Sequence, residues 1–380
     1  MKKLVVSLAT LSLAACNGAE TDVEEQAQEI DVGILALTAD ENGKIPGHYI
    51  VTLKEGVEPK GFAKALGLAP SFVYSNALNG FAGYIPEALV NKLQKDSSVL
   101  RVEADGVVYA NQTTPWGISN IGSTTNSTLA GNGSGTTTGP TVFIIDTGID
   151  ASHTDLNVIG HVNYAGGPNT DCNGHGTHVA GTVGAKDNAS DVVGVAPGVA
   201  QYGVKVLSCS GSGSWSGVIS GMDFVAGHSA KNKVANMSLG GGYNQSINDA
   251  AANMVNNNVA VAVAAGNDGD DAANHSPASE PSVLTVAAYD STNNDASWTN
   301  YGSLVDLSAP GVSILSTKKG GGTTTMSGTS MASPHVAGAL ALYLANNPSA
   351  SATTAQNAVK SNTSGTTKTY GFARLYVGNW

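Results

Sequence analysis

From about residue 110 onward, short apolar runs recur: Val142-Phe143-Ile144-Ile145, Val204-Lys205-Val206-Leu207, Val234-Ala235-Asn236-Met237, Val259 to Ala264 and Val283 to Ala288. Between them lie patterns with helical spacing, near 175–184, 215–228, 246–257 and 330–346. The runs do not alternate regularly with polar residues, as strands with one wet face would. Continuous Val/Ile runs belong to strands covered on both sides. Strands alternating with helices then predict an α/β fold, a parallel sheet flanked by helices. In such sheets functional groups collect at the carboxyl ends of the strands. Asp146 ends the first run, and Asn267 lies just past the run at 259–264.

The first hundred residues read differently. Lys2 and Lys3 precede a short apolar run, Leu4 to Ala15, too short for a membrane span and built like an export signal. It ends in Leu13-Ala14-Ala15-Cys16, which resembles the bacterial lipoprotein box and makes Cys16 a lipidation candidate, so 1–16 is expected to be a signal peptide. Residues 17–43 carry Glu20, Asp22, Glu24, Glu25, Glu29 and Asp31 with no basic residue before Lys44, a solvated acidic linker. Residues 44–109 show a β-α-β-β-α-β order that suits a small ferredoxin-like α+β unit. The remainder, 110–380, is expected to be one catalytic-sized domain. The net charge of −11 argues against nucleic acid as a partner. Nothing signals homo-oligomerisation, and a monomer is expected. Export permits disulfides. With Cys16 lipidated, Cys172 and Cys209 remain, either bridged or as two free thiols.

The chemistry sits in separate motifs. Gly328-Thr329-Ser330-Met331-Ala332-Ser333-Pro334-His335 places a hydroxyl at a helix N-terminus, where free N–H groups favour a developing oxyanion. Taken alone, Ser330 reads as a plain N-cap. Ile145-Asp146-Thr147-Gly148 places a carboxylate after a strand. Asn173-Gly174-His175-Gly176-Thr177-His178 places an imidazole among glycines. A serine needs an adjacent base to attack, and the base needs an acid to hold its tautomer. His175 and His178 are spaced for a metal pair, but no Glu lies between them and no third ligand stands nearby in sequence.

Asp, His and Ser occur here in the order found in subtilisin. The three motifs resemble those of the subtilisin-like serine proteases, in detail the proteinase K-like branch, over about 110–375. The resemblance implies that Asp146 orients His175, that His175 acts as general base and then acid, and that Ser330 is the nucleophile. It implies an oxyanion hole made by the Asn267 side chain in Ala264-Ala265-Gly266-Asn267 and by the Ser330 backbone N–H. Gly211, Ser212 and Gly213 would pair with an extended peptide on one side, and Ser238, Leu239 and Gly240 on the other, with Trp215 near an outer subsite. Broad specificity with an apolar or aromatic preference follows. Pro281, Val283 and Asp306 correspond to a structural Ca²⁺ site, two carbonyls and a carboxylate. A Cys172–Cys209 bridge is implied, while Leu284 stands where some relatives carry a second one. Residues 44–109 resemble an inhibitor-like propeptide, with processing near Tyr109–Ala110 and Tyr109 then in the enzyme's own primary pocket. The expected activity is a secreted endopeptidase acting on polypeptides, made as an inhibited, lipid-anchored precursor and released by self-cleavage. The competing reading is a non-catalytic peptide-binding lipoprotein on the same fold. It would be favoured by loss of a triad residue or of Asn267, and all four are present.

Overall fold

The computed structural model describes residues 44–106 and 112–380. Cys16, the signal and linker segments, and Tyr109–Ala110 lie outside the described residues. The chain divides into two units, one up to Val108 and one from Tyr109.

The first unit runs β1 (Lys44–Leu53), α1 (Pro59–Ala65), β2 (Phe72–Tyr74), β3 (Gly80–Tyr84), α2 (Glu87–Leu93) and β4 (Val99–Gly106). Its strands form one antiparallel sheet in the order β2-β3-β1-β4. Helix α1 opens on Pro59, where a missing N–H costs nothing. The Glu58 carboxylate caps it, accepting from the Lys60 and Gly61 N–H groups at 2.9 and 2.5 Å. Val51, Leu53, Phe81, Ile85 and Leu93 close a core of its own.

The second unit begins with α3 (Trp116–Asn120), β5 (Thr141–Asp146), β6 (Val158–Asn163), α4 (His175–Gly184), β7 (Ala200–Lys205), α5 (Trp215–Gly227) and β8 (Lys233–Met237). It continues with β9 (Gly241–Gly242), α6 (Gln245–Asn256), β10 (Val259–Ala264), β11 (His275–Ser276), β12 (Leu284–Tyr289), β13 (Leu307–Pro310), β14 (Ile314–Thr317) and β15 (Thr323–Met326). Helices α7 (Thr329–Asn346) and α8 (Ala352–Ser361) and strands β16 (Thr363–Thr366) and β17 (Ala373–Leu375) complete it. The main sheet has the order β16-β17-β13-β12-β10-β8-β5-β7-β6. All its pairings are parallel except β16 with β17. This is the subtilisin-like α/β architecture. From β5 the chain passes to the edge strand β6, returns to insert β7 between the two, then crosses to the other side of β5 with β8. The reversal between β5 and β8 opens a crevice at their carboxyl ends.

The apolar runs are buried on both faces. In β5, Val142 and Ile144 point into one core, and Phe143 and Ile145 into the other. In β10, alanines 260 and 262 face the first core and valines 259, 261 and 263 the second. Small side chains on the first face let α7 approach closely. That helix packs on β8, β10, β12 and β13 and against α4 and α8. It is buried all round, from Met331 to Leu342, so it is a central pillar and not a surface helix.

One strand differs from expectation. The run read as 204–207 is a strand over Ala200–Lys205. Its polar start survives burial because the Gln201 amide donates to the Ala180 carbonyl at 3.0 Å.

Candidate active site

Strand β5 ends on Asp146, which is fully buried, and α4 begins on His175. His175 Nδ1 lies 2.8 and 2.9 Å from the two oxygens of Asp146. This hydrogen bond leaves Nε2 as the ring's outward nitrogen. Burial alone would lower the imidazole pKa, but the charge and hydrogen bond of Asp146, with the more distant Asp171, outweigh it and raise the value. The glycines are needed for this approach. A Cβ on Gly176 would overlap the Gly148 carbonyl and sit 3.1 Å from Asp146 Oδ1.

Asp171 holds the loop that presents His175. Its carboxylate accepts from the N–H groups of Asn173, Gly174 and Thr177 at 2.8–3.0 Å, and from the Thr147 and Thr177 hydroxyls at 3.0 and 2.5 Å. The cystine Cys172–Cys209 is formed and ties this loop to the segment before Gly211. Asp171 escaped the sequence reading. Its signal is an acidic residue just before a helix start, the pattern of an N-terminal cap.

Ser330 sits at the second position of α7. Its hydroxyl donates to the Ser238 carbonyl at 3.2 Å. Contacts of this kind commonly reorganise when substrate arrives. Pro334, inside the helix, has no N–H to give the Ser330 carbonyl. The Ser238 hydroxyl donates to that carbonyl at 2.7 Å and receives a bond from Asn236 Nδ2 at 2.9 Å. Asn236 in turn accepts from the Ser333 hydroxyl at 2.8 Å.

Asn267 follows β10. Its Oδ1 accepts from the Thr329 N–H and hydroxyl at 2.8 and 3.0 Å. With the oxygen engaged, the amide nitrogen is the group left to donate. The loop carrying it is held by Asn300, also absent from the sequence reading. Asn300 accepts from the Asp268 and Asp270 N–H groups at 2.9 and 3.1 Å and donates to the Ala265 carbonyl at 2.9 Å.

These groups meet in one cleft. A groove of about 640 Å³ is lined by His175, Ser330, Gly211, Ser212, Gly213, Trp215, Ser238, Leu239 and Gly240. A smaller hollow of about 180 Å³ adjoins it, lined by Leu239, Gly240, Ala265, Asn267 and Ser330 among others. His178 is not part of it. It is buried, its Nε2 lies 3.0 Å from the Ile314 carbonyl, and burial pushes its pKa down to about 4.

The calcium candidates need separate treatment. Asp306 Oδ2 accepts from the Thr285 N–H at 2.8 Å, and its other oxygen is paired with the Lys360 ammonium. An ammonium therefore stands at the carboxylate assigned to a divalent ion. Among the described residues, no three His, Cys, Asp or Glu side chains are grouped so as to hold a metal ion, so carbonyl and amide oxygens would have to contribute. Such a set exists elsewhere. The Gln112 side-chain amide touches the carbonyls of Lys186, Ser190 and Val192 at 2.7, 3.1 and 2.9 Å. One NH₂ group has two hydrogens for three acceptors, while its own Oε1 is buried without a partner. Asp155 and Asn188 face each other alongside at 2.7 Å. Turning the Gln112 amide over would set Oε1, in place of the NH₂ group, beside the same three carbonyls. No signal short of three-dimensional proximity joins Gln112 to a loop more than seventy residues away.

A serine, an imidazole on a buried carboxylate and a free amide donor at the crevice of this parallel sheet define a subtilisin-like serine endopeptidase. The family model for the subtilase family matches residues 137–376. The chain is 44% identical over 360 residues to the subtilisin-like serine protease AsES of Sarocladium strictum, covering 90% of this chain and 88% of that protein. It is 42% identical over 362 residues to proteinase R of Parengyodontium album, covering 90% and 89%. Among solved structures it resembles a cold-adapted subtilisin-like serine proteinase, with TM-score 0.62 and 38% identity over 70% of this chain and 98% of that one. The chain belongs to the subtilase family.

Proposed function

We propose that this endopeptidase cleaves extended polypeptides through an acyl-enzyme on Ser330. His175 Nε2 takes the hydroxyl proton as Oγ attacks the scissile carbonyl. Asp146 holds the tautomer and stabilises the imidazolium. Asn267 Nδ2 and the Ser330 N–H receive the oxyanion. The proton then passes to the leaving amine, and a water repeats the sequence to release the acid and restore Ser330. The observation that carries this reading is the double contact of His175 Nδ1 with Asp146 in the cleft that also holds Ser330. Gly211–Gly213 and Ser238–Gly240 are proposed to pair with the substrate backbone, so recognition rests on main chain and is broad. The adjoining hollow, walled by small residues, takes an apolar or aromatic side chain.

Residues 44–109 are proposed to act as an inhibitory propeptide cleaved near Tyr109–Ala110. Support comes from a unit with its own sheet and core ahead of the catalytic one. Export, with a precursor lipidated on Cys16 and freed by self-cleavage, completes the proposal. Among the described residues no helix is long and apolar enough to cross a membrane. For calcium, the Gln112–Asp155–Asn188 set with the carbonyls of Lys186, Ser190 and Val192 fits an oxygen-seeking ion. At Pro281–Val283–Asp306 an ion has to displace Lys360, so the first set is proposed as the tighter.

Intact mass and N-terminal sequence of wild type beside Ser330→Ala test the core of this. Wild type truncated near Ala110, with the mutant full length, supports nucleophile and self-processing together. Both full length, with no fluorophosphonate label on Ser330, overturns the enzymatic assignment.

A further inference from the structure

Strand β7 ends on Lys205, whose side chain is fully buried. Its Nζ donates to the Thr147 carbonyl at 2.7 Å and to the Leu207 carbonyl at 2.9 Å, and lies 3.5 Å from Cys172 Sγ. Thr147 and Leu207 both line the groove, and Cys172 stands three residues before His175. Among the described residues no carboxylate comes within ion-pair distance of this ammonium. Burying an ammonium without such contact is costly, and an apolar side chain of the same length would pack there at less cost. Burial pulls the Lys205 pKa down, and the charges of Asp171 and Asp146 act against that. The ammonium therefore answers to the two acids beyond its own hydrogen bonds.

Thr147 is the node through which Lys205 reaches the site. Its N–H donates to Asp146 Oδ1 at 2.6 Å. Its hydroxyl donates to Asp171 Oδ1 at 3.0 Å and accepts from the Gly176 N–H at 2.9 Å. One residue thus touches the acid behind His175, the acid that holds the His175 loop and the residue after His175, and the ammonium pins it. We propose that Lys205 is a positioning residue of the reaction, fixing the Thr147 node and balancing the charge of Asp146 and Asp171 behind the imidazole. The proposal rests on His175 as the base. Two nearby carboxylates favour the imidazolium, and a cation among them disfavours it. When Lys205 is removed, Asp146 and Asp171 keep their hydrogen-bond donors, so their charge acts on the ring uncompensated. The other titratable groups around α4 are His178 and, beyond it, His335 on α7, both pushed down to about 4 by burial. His161 on β6 is likewise lowered by burial. Lys319, in the hairpin of β14 and β15, is exposed, and its ammonium reaches the Cys172 carbonyl at 3.1 Å.

The test is the pH profile of kcat/KM on one peptide anilide for wild type and Lys205→Met, between about pH 5.5 and 9, the span in which a raised imidazole titrates. Salt at about 1 M screens the exposed Lys319 and leaves the buried charges unscreened. Lys205→Met keeps the length of the stem and removes both donors and charge. Its acid-limb midpoint should lie about half a pH unit or more above that of wild type. Lys205→Gln, which can still donate to one carbonyl, should move the midpoint the same way, and it carries the test if Lys205→Met does not fold. A lower Tm or kcat with the midpoint unmoved makes Lys205 a structural peg and overturns the proposal, and so does a midpoint that falls. Titration of the His175 ring by NMR on Ser330→Ala, with and without Lys205→Met, reads the same shift without turnover. If that shift appears while wild type hydrolyses nothing, the enzymatic assignment fails and this one stands. If wild type hydrolyses the anilide and the two profiles coincide, this one fails alone.

Discussion

The Ser238 hydroxyl donates to the main-chain carbonyl of Ser330 at 2.7 Å, and this bond replaces one the helix cannot make. Pro334 removes the N–H that would serve that carbonyl. The segment that flanks the groove is thereby fastened to the proposed nucleophile, Ser330. Ser238→Ala should leave the carbonyl unsatisfied at a cost of about 1–3 kcal/mol. In a domain of this size that lowers Tm by about 2–4 °C per kcal/mol. Differential scanning calorimetry and steady-state kinetics check it. The expected pattern is a lower Tm together with a lower kcat, and an unchanged Tm speaks against the bond.

On the proposed mechanism, the His175–Asp146 contact sets the acid limb of activity. His175 must be neutral to take the proton, and Asp146 holds its pKa above the ordinary imidazole value. Activity should therefore climb with pH through a midpoint above about 6.5. Asp146→Asn should cut kcat by about four orders of magnitude and move the midpoint down. For stability the sign is opposite. A raised folded-state pKa contributes stability that is complete below the unfolded value and is lost as pH rises through the folded one. A pH profile of kcat/KM for the two proteins checks the midpoint.

Gly176→Ala places a methyl group against the Gly148 carbonyl and beside Asp146. The imidazole and its acid are pushed apart while the sheet is untouched. Fluorophosphonate labelling of Ser330 should be lost with the far-ultraviolet circular dichroism retained. Full labelling would mean that the loop relaxes freely.

Calcium held at the Gln112 set adds stability in proportion to its saturation, about 2.7 kcal/mol at a hundred times Kd. Chelation should then lower the wild-type Tm by about 5–10 °C. Gln112→Ala and Asp155→Ala should start lower and respond little to chelator. Metal content after gel filtration, read by mass spectrometry, gives an independent count. Wild type and Asp155→Ala with equal calcium would reject the site.

The sequence disclosed what local pattern can carry. Valine runs marked β5, β8, β10 and β12 because both of their faces are dry. Asp146, His175 and Ser330 stood in compact motifs whose glycines and helix starts constrain the backbone nearby. What stayed hidden depends on partners far along the chain. Strand β6 includes Gly160, His161 and Asn163, and the hairpin of β14 and β15 contains Thr317 and Thr323–Thr325, so neither shows an apolar period. Asn300 and Gln112 each act by hydrogen bonds to backbone brought near by folding, whereas Asp171 binds the backbone of its own loop and only its bond from the Thr147 hydroxyl comes from far along the chain. Lys360 reaches Asp306 only because α8 returns to the sheet beside β10.

Helix α7 carries one more consequence. Ser330 heads a rod that β8, β10, β12, β13, α4 and α8 all touch. Helix α7 runs without a break from the proposed nucleophile into the deepest layer, so Ser330 cannot loosen while the body holds. Working lifetime and structural lifetime are then one quantity. On the proposed function, a copy that unfolds in a crowd of identical molecules becomes a substrate at the moment it ceases to be an enzyme.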